Sequence, residues 1–311
     1  MSIWPQTIST DSELIAKLKA APPSEGLPDG WLAQWDDVWR PLAASLARLI
    51  ERSQTPPVIG IHGGQGSGKS TLSLALKQAY ANAFGWNAVI VSIDDLYLSH
   101  AERQQLSRDV HPLLATRGVP GTHEVERGIE LFQELRLLKA GEHCQIPAFD
   151  KASDDRLPQA QWHNVEGPVD VILFEGWCVG CEAVSEQQLQ TPINTLEAEE
   201  DPDTTWRTWV NTRLANEYRT WFDAIDYLIM LKVPDMAAVQ RWRTQQEAGN
   251  RSNAQGTTDR SLDSAALRRF IQHYERITLQ ALTRLPEIAN LVMTINDAHQ
   301  VAAITEGKAG S

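Results

Sequence analysis

Eight consecutive residues, Gly63-Gly64-Gln65-Gly66-Ser67-Gly68-Lys69-Ser70, fit the pattern G-x-x-x-x-G-K-[ST]. Glycines at this spacing permit positive φ and let the backbone come close to a ligand. Successive N–H groups can then face phosphate oxygens, with the dipole of a following helix reinforcing them. Lys69 is expected to reach the β- and γ-phosphates of ATP, and the Ser70 hydroxyl to ligate Mg²⁺. Thr71 ends the run of expected nucleotide contacts. A glycine-rich turn with an incidental lysine is the bland alternative, and the flanking segments argue against it.

Other polar residues stand where such a loop could use them. Asp94 and Asp95, followed by Tyr97, end an apolar run. In open parallel sheets, ligands bind beyond the carboxyl ends of strands. A carboxylate placed there can deprotonate an acceptor hydroxyl or hold water on Mg²⁺. Glu175 ends a second apolar run and is expected beside the Ser70-bound metal. Arg117 and His123 flank a Pro-Gly turn, a way to aim polar groups into a cleft. Phe149, Asp150 and Lys151 open a short loop rich in charge, which alone reads as an exposed turn. Arg241 and Arg243 sit on a helical stretch beside a polar, glycine-containing segment, and suit a lid that carries a cation to the moving phosphoryl group. Two arginines solubilising a helix face are the alternative. Cys178-Val179-Gly180-Cys181 forms a lone C-x-x-C without two further ligands at zinc spacing, and reads as small residues beyond a strand.

The elements that must position these groups can be read from period and punctuation. Val58–His62 predicts a buried strand, and Thr71–Tyr80 a helix, so the loop lies between strand and helix. Further strands are expected at 88–93, 169–175, 227–233 and 291–295. Helices are expected over 124–138 with Thr122 as N-cap, over 204–222, over 236–247, and over 261–285. Upstream, residues 11–20 predict a short amphipathic helix. Residues 31–53 predict a second, which Pro41 kinks or divides, with Trp31, Trp35 and Trp39 on one packing face. The acids Glu197, Glu199, Glu200, Asp201 and Asp203 read as a solvated loop. Residues 249–258 read as mobile, and the tail from Gly307 as disordered. The resulting division is an N-terminal helical extension packed on the core (1–56), a P-loop domain (57–306) with its lid at about 236–258, and a tail (307–311).

At 311 residues and 42% hydrophobic, the chain can bury a substantial core. Its net charge of −12 argues against nonspecific binding to nucleic acid or to anionic lipid. No stretch is long and apolar enough to span a membrane. The first ten residues lack a signal-peptide pattern, and three cysteines make no disulfide framework. A cytoplasmic setting and a small-molecule substrate are therefore expected.

Together the motifs resemble the P-loop kinases grouped with uridine kinase, phosphoribulokinase and bacterial-type pantothenate kinase. The resemblance rests on residues 63–70, Asp94 to Tyr97, Phe174 to Gly176, and Arg241 to Arg243. Within that group the chain looks like the plant and fungal-type D-glycerate 3-kinase family. The supporting segments are Asp94-Asp95-Leu96-Tyr97-Leu98, Arg117-Gly118 with Gly121-Thr122-His123-Glu124, Phe149-Asp150-Lys151-Ala152 and Phe174-Glu175-Gly176-Trp177. Cys178 and Cys181 depart from it, since larger apolar residues are expected there.

The resemblance implies an α/β P-loop NTPase fold with a parallel five-stranded sheet, ordered 2-3-1-4-5, and helices on both faces. It implies ATP-dependent phosphorylation of a primary hydroxyl of a small hydroxy acid, D-glycerate giving 3-phosphoglycerate. Asp94 takes the base position of the uridine-kinase group, with Asp95 as its understudy, and Arg241 is the favoured lid cation. A glycerate carboxylate would meet Arg117 or Lys151, with His123 as a hydrogen-bond donor. The alternatives are another acceptor (a nucleoside, pantothenate or a sugar acid) or an ATP-binding NTPase without transferase activity.

Overall fold

The structure, a computed structural model, describes residues 3–5, 11–23, 25–253 and 264–307, and side chains outside 246–253 and 264. Its sheet is built from β1 (Val58–Gly63), β2 (Ala88–Ser92), β3 (Val171–Gly176), β4 (Tyr227–Lys232), β5 (Leu291–Ile295) and β6 (Val301–Glu306). The first five are parallel and lie in the order β2-β3-β1-β4-β5, with β1 flanked by β3 and β4. Every residue of β1 and of β3 is buried. Near-continuous apolar runs are what strands covered on both faces require.

The sixth strand, which the sequence reading left unassigned, turns back antiparallel along β5. It buries only Val301 and Ile304 of its six residues, and its register shifts between Val301 and Ala303. A bulge of this kind breaks the two-residue alternation by which a strand is recognised.

Two apolar layers sandwich the sheet. One joins Val91, Leu131, Phe132, Phe174 and Trp221. The other joins Ile59, Leu72, Leu76, Tyr80 and Ile229 to upstream residues Leu14, Leu18, Trp31, Trp35 and Trp39. Helix α1 (Ser12–Ala20) starts at Asp11, whose side chain accepts from the Glu13 N–H at 2.9 Å. The stretch expected as one helix over 31–53 is divided. A turn at Asp29–Leu32 and a π-helical turn at Trp35–Trp39 precede α2 (Arg40–Arg52). Pro41 lies in the first turn of α2, where a missing N–H costs nothing. Trp31 stacks on Trp39 at 4.7 Å between ring centroids. Tyr80, in α3 (Lys69–Phe84), donates to the Ala43 carbonyl at 3.1 Å and ties these helices to the core.

Two local expectations are corrected. The acids at 197–203 are not uniformly solvated: Glu197 and Asp201 are fully buried, in and beside a short helix at Thr195–Glu200. Arg276 donates to both carboxylate oxygens of Glu197, at 2.7 and 2.5 Å, and Arg207 bonds Asp201 at 2.8 Å. Composition alone could not reveal partners 79 and 6 residues away. The second concerns Thr122, which is not the N-cap of a helix. After α4 (His100–Asp109), the helix α5 (Val125–Leu137) is preceded by Glu124. Thr122 is instead fully buried, accepting from Gly118 N–H at 2.9 Å and donating to the Val119 carbonyl at 2.7 Å.

The longer helices that follow are α6 (Thr205–Arg213), which continues through a π-helical turn at Leu214–Tyr218, α7 (Met236–Asn253) and α8 (Ser264–Ile288). Residues 249–253, expected to be mobile, belong to α7. Residues 254–263 and 308–311 lie outside the described residues, so the expectations placed there stay outside too. Gly307 is held by its N–H on the Asn290 carbonyl at 3.2 Å.

Candidate active site

The loop between β1 and α3 brings its functional atoms together through a few local constraints. Gly66 has φ +82°, and a Cβ there would lie 2.8 Å from the Cβ of Trp242. Only glycine fits both the conformation and the approach. The Ser67 N–H bonds the Gly64 carbonyl at 3.1 Å and closes the loop. Lys69 and Ser70 open α3, so their side chains stand at its N-terminal end. The Ser70 hydroxyl donates to Glu175 Oε1 at 2.9 Å, and Lys69 Nζ lies 4.0 Å from Glu175 Oε2. Glu175 stands on β3 beside β1, paired with Ile61, and is 6% exposed. Its Oε2 is buried and has no hydrogen-bond partner among the described residues. A buried carboxylate oxygen left open beside a hydroxyl suits a hard cation such as Mg²⁺. These residues fit the metal that such a loop uses.

Beyond the end of β2 the chain forms a tight turn at Ile93–Leu96 that separates the two aspartates. Asp94 accepts from the Tyr97 hydroxyl on Oδ1 at 2.7 Å and from Lys151 Nζ on Oδ2 at 2.6 Å. Burial alone would raise its carboxyl. The charges of Lys151 and Lys69, with the bonds donated by Lys151 and Tyr97, outweigh that and hold it well below the usual carboxylate range. Asp95 accepts from the Phe149 N–H at 3.2 Å. Burial pushes it up, in the direction opposite to its neighbour. The two acids therefore have different surroundings, and Asp95 ties the following loop to the sheet.

That loop carries Lys151 to Asp94. Asp150 accepts from the N–H groups of Ala152 and Ser153, at 2.9 and 3.0 Å, so its carboxylate shapes the turn. Asp154 anchors the turn against Arg103, 3.0 Å away, and against Arg117. Arg117 is accordingly committed to Asp154, with its guanidinium 5.6 Å from the centre of the Phe149 ring. Of the two cations expected for an acceptor carboxylate, Lys151 is the one beside Asp94, and its side chain is 60% exposed. His123 lies against the ring of Tyr97, centroids 4.7 Å apart, and its Nδ1 bonds the Tyr218 hydroxyl.

The lid arginines separate. Arg241, favoured from sequence, forms an ion pair with Asp297, and both are exposed. Arg243 lies over the Phe270 ring at 5.7 Å. Phe270 packs on Tyr274, whose hydroxyl donates to the Arg117 carbonyl at 2.8 Å and which feels the charges of Arg117, Asp94 and Arg243. Arg243, two residues along α7, thus packs toward Phe270 of α8, and Arg241 faces the loop after β5. Between them Trp242 packs on Gly66 and on His299, which bonds the Gly66 carbonyl at 3.1 Å.

Several participants carried no warning in sequence. Arg103, Tyr218, Tyr274 and His299 come from helices and turns outside the motifs, whereas Asp154 lies in the charged loop that follows Lys151. One did leave a trace: Trp206, Val210, Leu214 and Tyr218 recur at strict four-residue spacing. A 3.6-residue helix cannot keep that spacing on one face without widening a turn. Cys178 and Cys181 are buried, and burial pushes both thiols up. Among the described residues, the His, Cys, Asp and Glu side chains close enough to share an ion are His111, Asp201 and Asp203, with neither cysteine among them.

Comparison with known proteins gives this geometry a context. Residues 58–186 match the profile of the phosphoribulokinase / uridine kinase family. The chain is 33% identical over 243 residues to "D-glycerate 3-kinase, chloroplastic" of Arabidopsis thaliana, covering 75% of this chain. It spans about half (49%) of that relative's length. An "Uncharacterized kinase mug58" of Schizosaccharomyces pombe is 32% identical over 249 residues, 74% of this chain and 83% of its own. The chain belongs to a family of P-loop kinases. The fold agrees: a D-glycerate 3-kinase from Cryptococcus neoformans superposes with a TM-score of 0.69 at 24% identity, covering 86% of this chain and 98% of that one. The family match ends shortly after β3, so α7 and Tyr218 lie outside it.

Proposed function

We propose that this protein transfers the γ-phosphoryl group of ATP to the primary hydroxyl of a small hydroxy acid, D-glycerate, giving 3-phosphoglycerate and ADP. The observation that carries the reading is Asp94: an ionised carboxylate fixed by Tyr97 and Lys151 beside the P-loop. Asp94 takes the proton of the acceptor hydroxyl as its oxygen attacks phosphorus, and ADP departs along the loop. Lys69 and the loop N–H groups meet the charge on the phosphates. Ser70 and Glu175 would hold Mg²⁺, which would supply neutralisation of the phosphate charge.

The acceptor's carboxylate recruits Lys151, whose exposed ammonium can exchange Asp94 for the incoming anion. Arg243 serves as the lid cation in place of Arg241. Identity to the Arabidopsis glycerate kinase supports the choice of glycerate. Coupled ADP release, measured with D-glycerate, L-glycerate, uridine and pantothenate as acceptors, tests the proposal. Turnover dependent on D-glycerate is expected. Preference for uridine or pantothenate would replace the acceptor, and ADP release indifferent to every acceptor would leave an ATP hydrolase or binder.

A further inference from the structure

His123 is 5% exposed, and burial pushes its imidazole down to about 3, so the ring is neutral and carries one proton. Which nitrogen holds that proton follows from its neighbour. The fully buried Tyr218 hydroxyl has one hydrogen to give and accepts the Gly121 N–H at 2.8 Å. Its remaining partner among the described residues is His123 Nδ1. A buried hydroxyl needs an acceptor for its hydrogen, and Nδ1 supplies one only when unprotonated. The proton therefore sits on Nε2. That atom is buried and has no partner among the described residues. The Tyr97 ring stacked on His123 leads to Asp94 through the Tyr97 hydroxyl, and Asp94 is the charge that the imidazole feels.

We propose that Tyr218 is a positioning residue that locks His123 as an Nε2–H donor, and that this donor binds an oxygen of the phosphoryl acceptor. The inference deepens the glycerate-kinase reading and rests on it for the ligand, but the tautomer stands independently. A site built around a fixed donor discriminates against analogues that lack the oxygen it was built to meet. The π-helical turn at Leu214–Tyr218 then has a purpose, since the widened turn brings the Tyr218 hydroxyl to both Gly121 and His123.

Nitrogen-15 spectra of histidine-labelled full-length protein, wild type and His123→Gln for assignment, report which ring nitrogen is protonated. Nε2–H is expected in wild type, and a population of Nδ1–H in Tyr218→Phe, which keeps the buried ring. An Nδ1–H wild type, or a Tyr218→Phe spectrum identical to wild type, overturns the lock. Steady-state kinetics with D-glycerate and ATP then test the donor. Tyr218→Phe is expected to raise the D-glycerate KM about tenfold with the ATP KM unchanged. His123→Gln, whose amide can stand where Nε2 does, should stay within about threefold of wild type, and His123→Leu should not. Equal losses for both substrates, or equal losses for Gln and Leu, would make His123 structural. If D-glycerate is not turned over at all, the acceptor reading fails while the spectra still decide the tautomer.

Discussion

Asp94 and Asp95 are adjacent in sequence, yet their surroundings push them in opposite directions. Asp94 collects two donors and two cations; Asp95 collects one backbone N–H and burial. Asp94→Asn should therefore lower kcat about 10²- to 10⁴-fold, the usual worth of a positioned base, while ATP affinity measured by calorimetry stays within about twofold. The same change at Asp95 should instead loosen the loop at Phe149. The pH dependence has a definite sign. A depressed carboxyl stays ionised as pH falls through the ordinary carboxylate range, so kcat/KM for the acceptor should have no acid limb there. Lys151→Met removes the leading attraction and leaves burial, which raises the carboxyl. The acid limb should then appear at higher pH in the variant. A limb that stays put would show that Lys151 does not hold the base in its ionised form.

On α7, element geometry separates the two arginines expected of a lid. Arg241 and Arg243 are two positions apart, about 200° around a helix, so they cannot serve one site. Arg241 reaches Asp297 on the surface and Arg243 reaches Phe270 on α8. Arg243→Ala is expected to cost kcat about 10²-fold or more, as losing a donor to the transition state does. Arg241→Ala should leave kcat within about twofold and stability within about 1 kcal/mol, the usual scale for an exposed pair. Parallel single-turnover assays of the two variants would reverse the assignment if Arg241 proved the costlier loss. The same helix presses Trp242 onto Gly66, so Gly66→Ala combines left-handed strain with a collision. ATP affinity should fall by about tenfold or more, since the backbone must shift by strain worth roughly 1–3 kcal/mol.

Across the whole molecule the two apolar layers hold β1 and β3 rigidly enough for Ser70 and Glu175 to meet at bonding distance. Away from that site, Glu197 and Asp201 bind α6 and α8 together through Arg207 and Arg276. Breaking one partner leaves a buried charge alone. Arg207→Ala or Arg276→Ala should thus destabilise by about 3–5 kcal/mol in urea titrations, far more than an exposed pair would. A loss below about 1 kcal/mol would mean that water reaches the cluster. Among the described residues no helix is long and apolar enough to cross a membrane.

Local chemistry was legible in sequence because local constraints write it: the strand–loop–helix at 58–84, the apolar runs closing at Asp94 and Glu175, and the five parallel strands each leave a contiguous signature. The order of those strands came from resemblance to a family, since crossovers are not written in period. Partners joined across the chain left no such signature. Arg117 read as free to bind a ligand until Asp154 claimed it. The acids at 197 and 201 read as solvated until Arg276 and Arg207 covered them, and Tyr218 lay unmarked within the helix expected over 204–222. In each case a side chain's role depends on which charge or hydrogen-bond partner the fold brings to it from elsewhere in the chain, and sequence distance carries no record of that meeting.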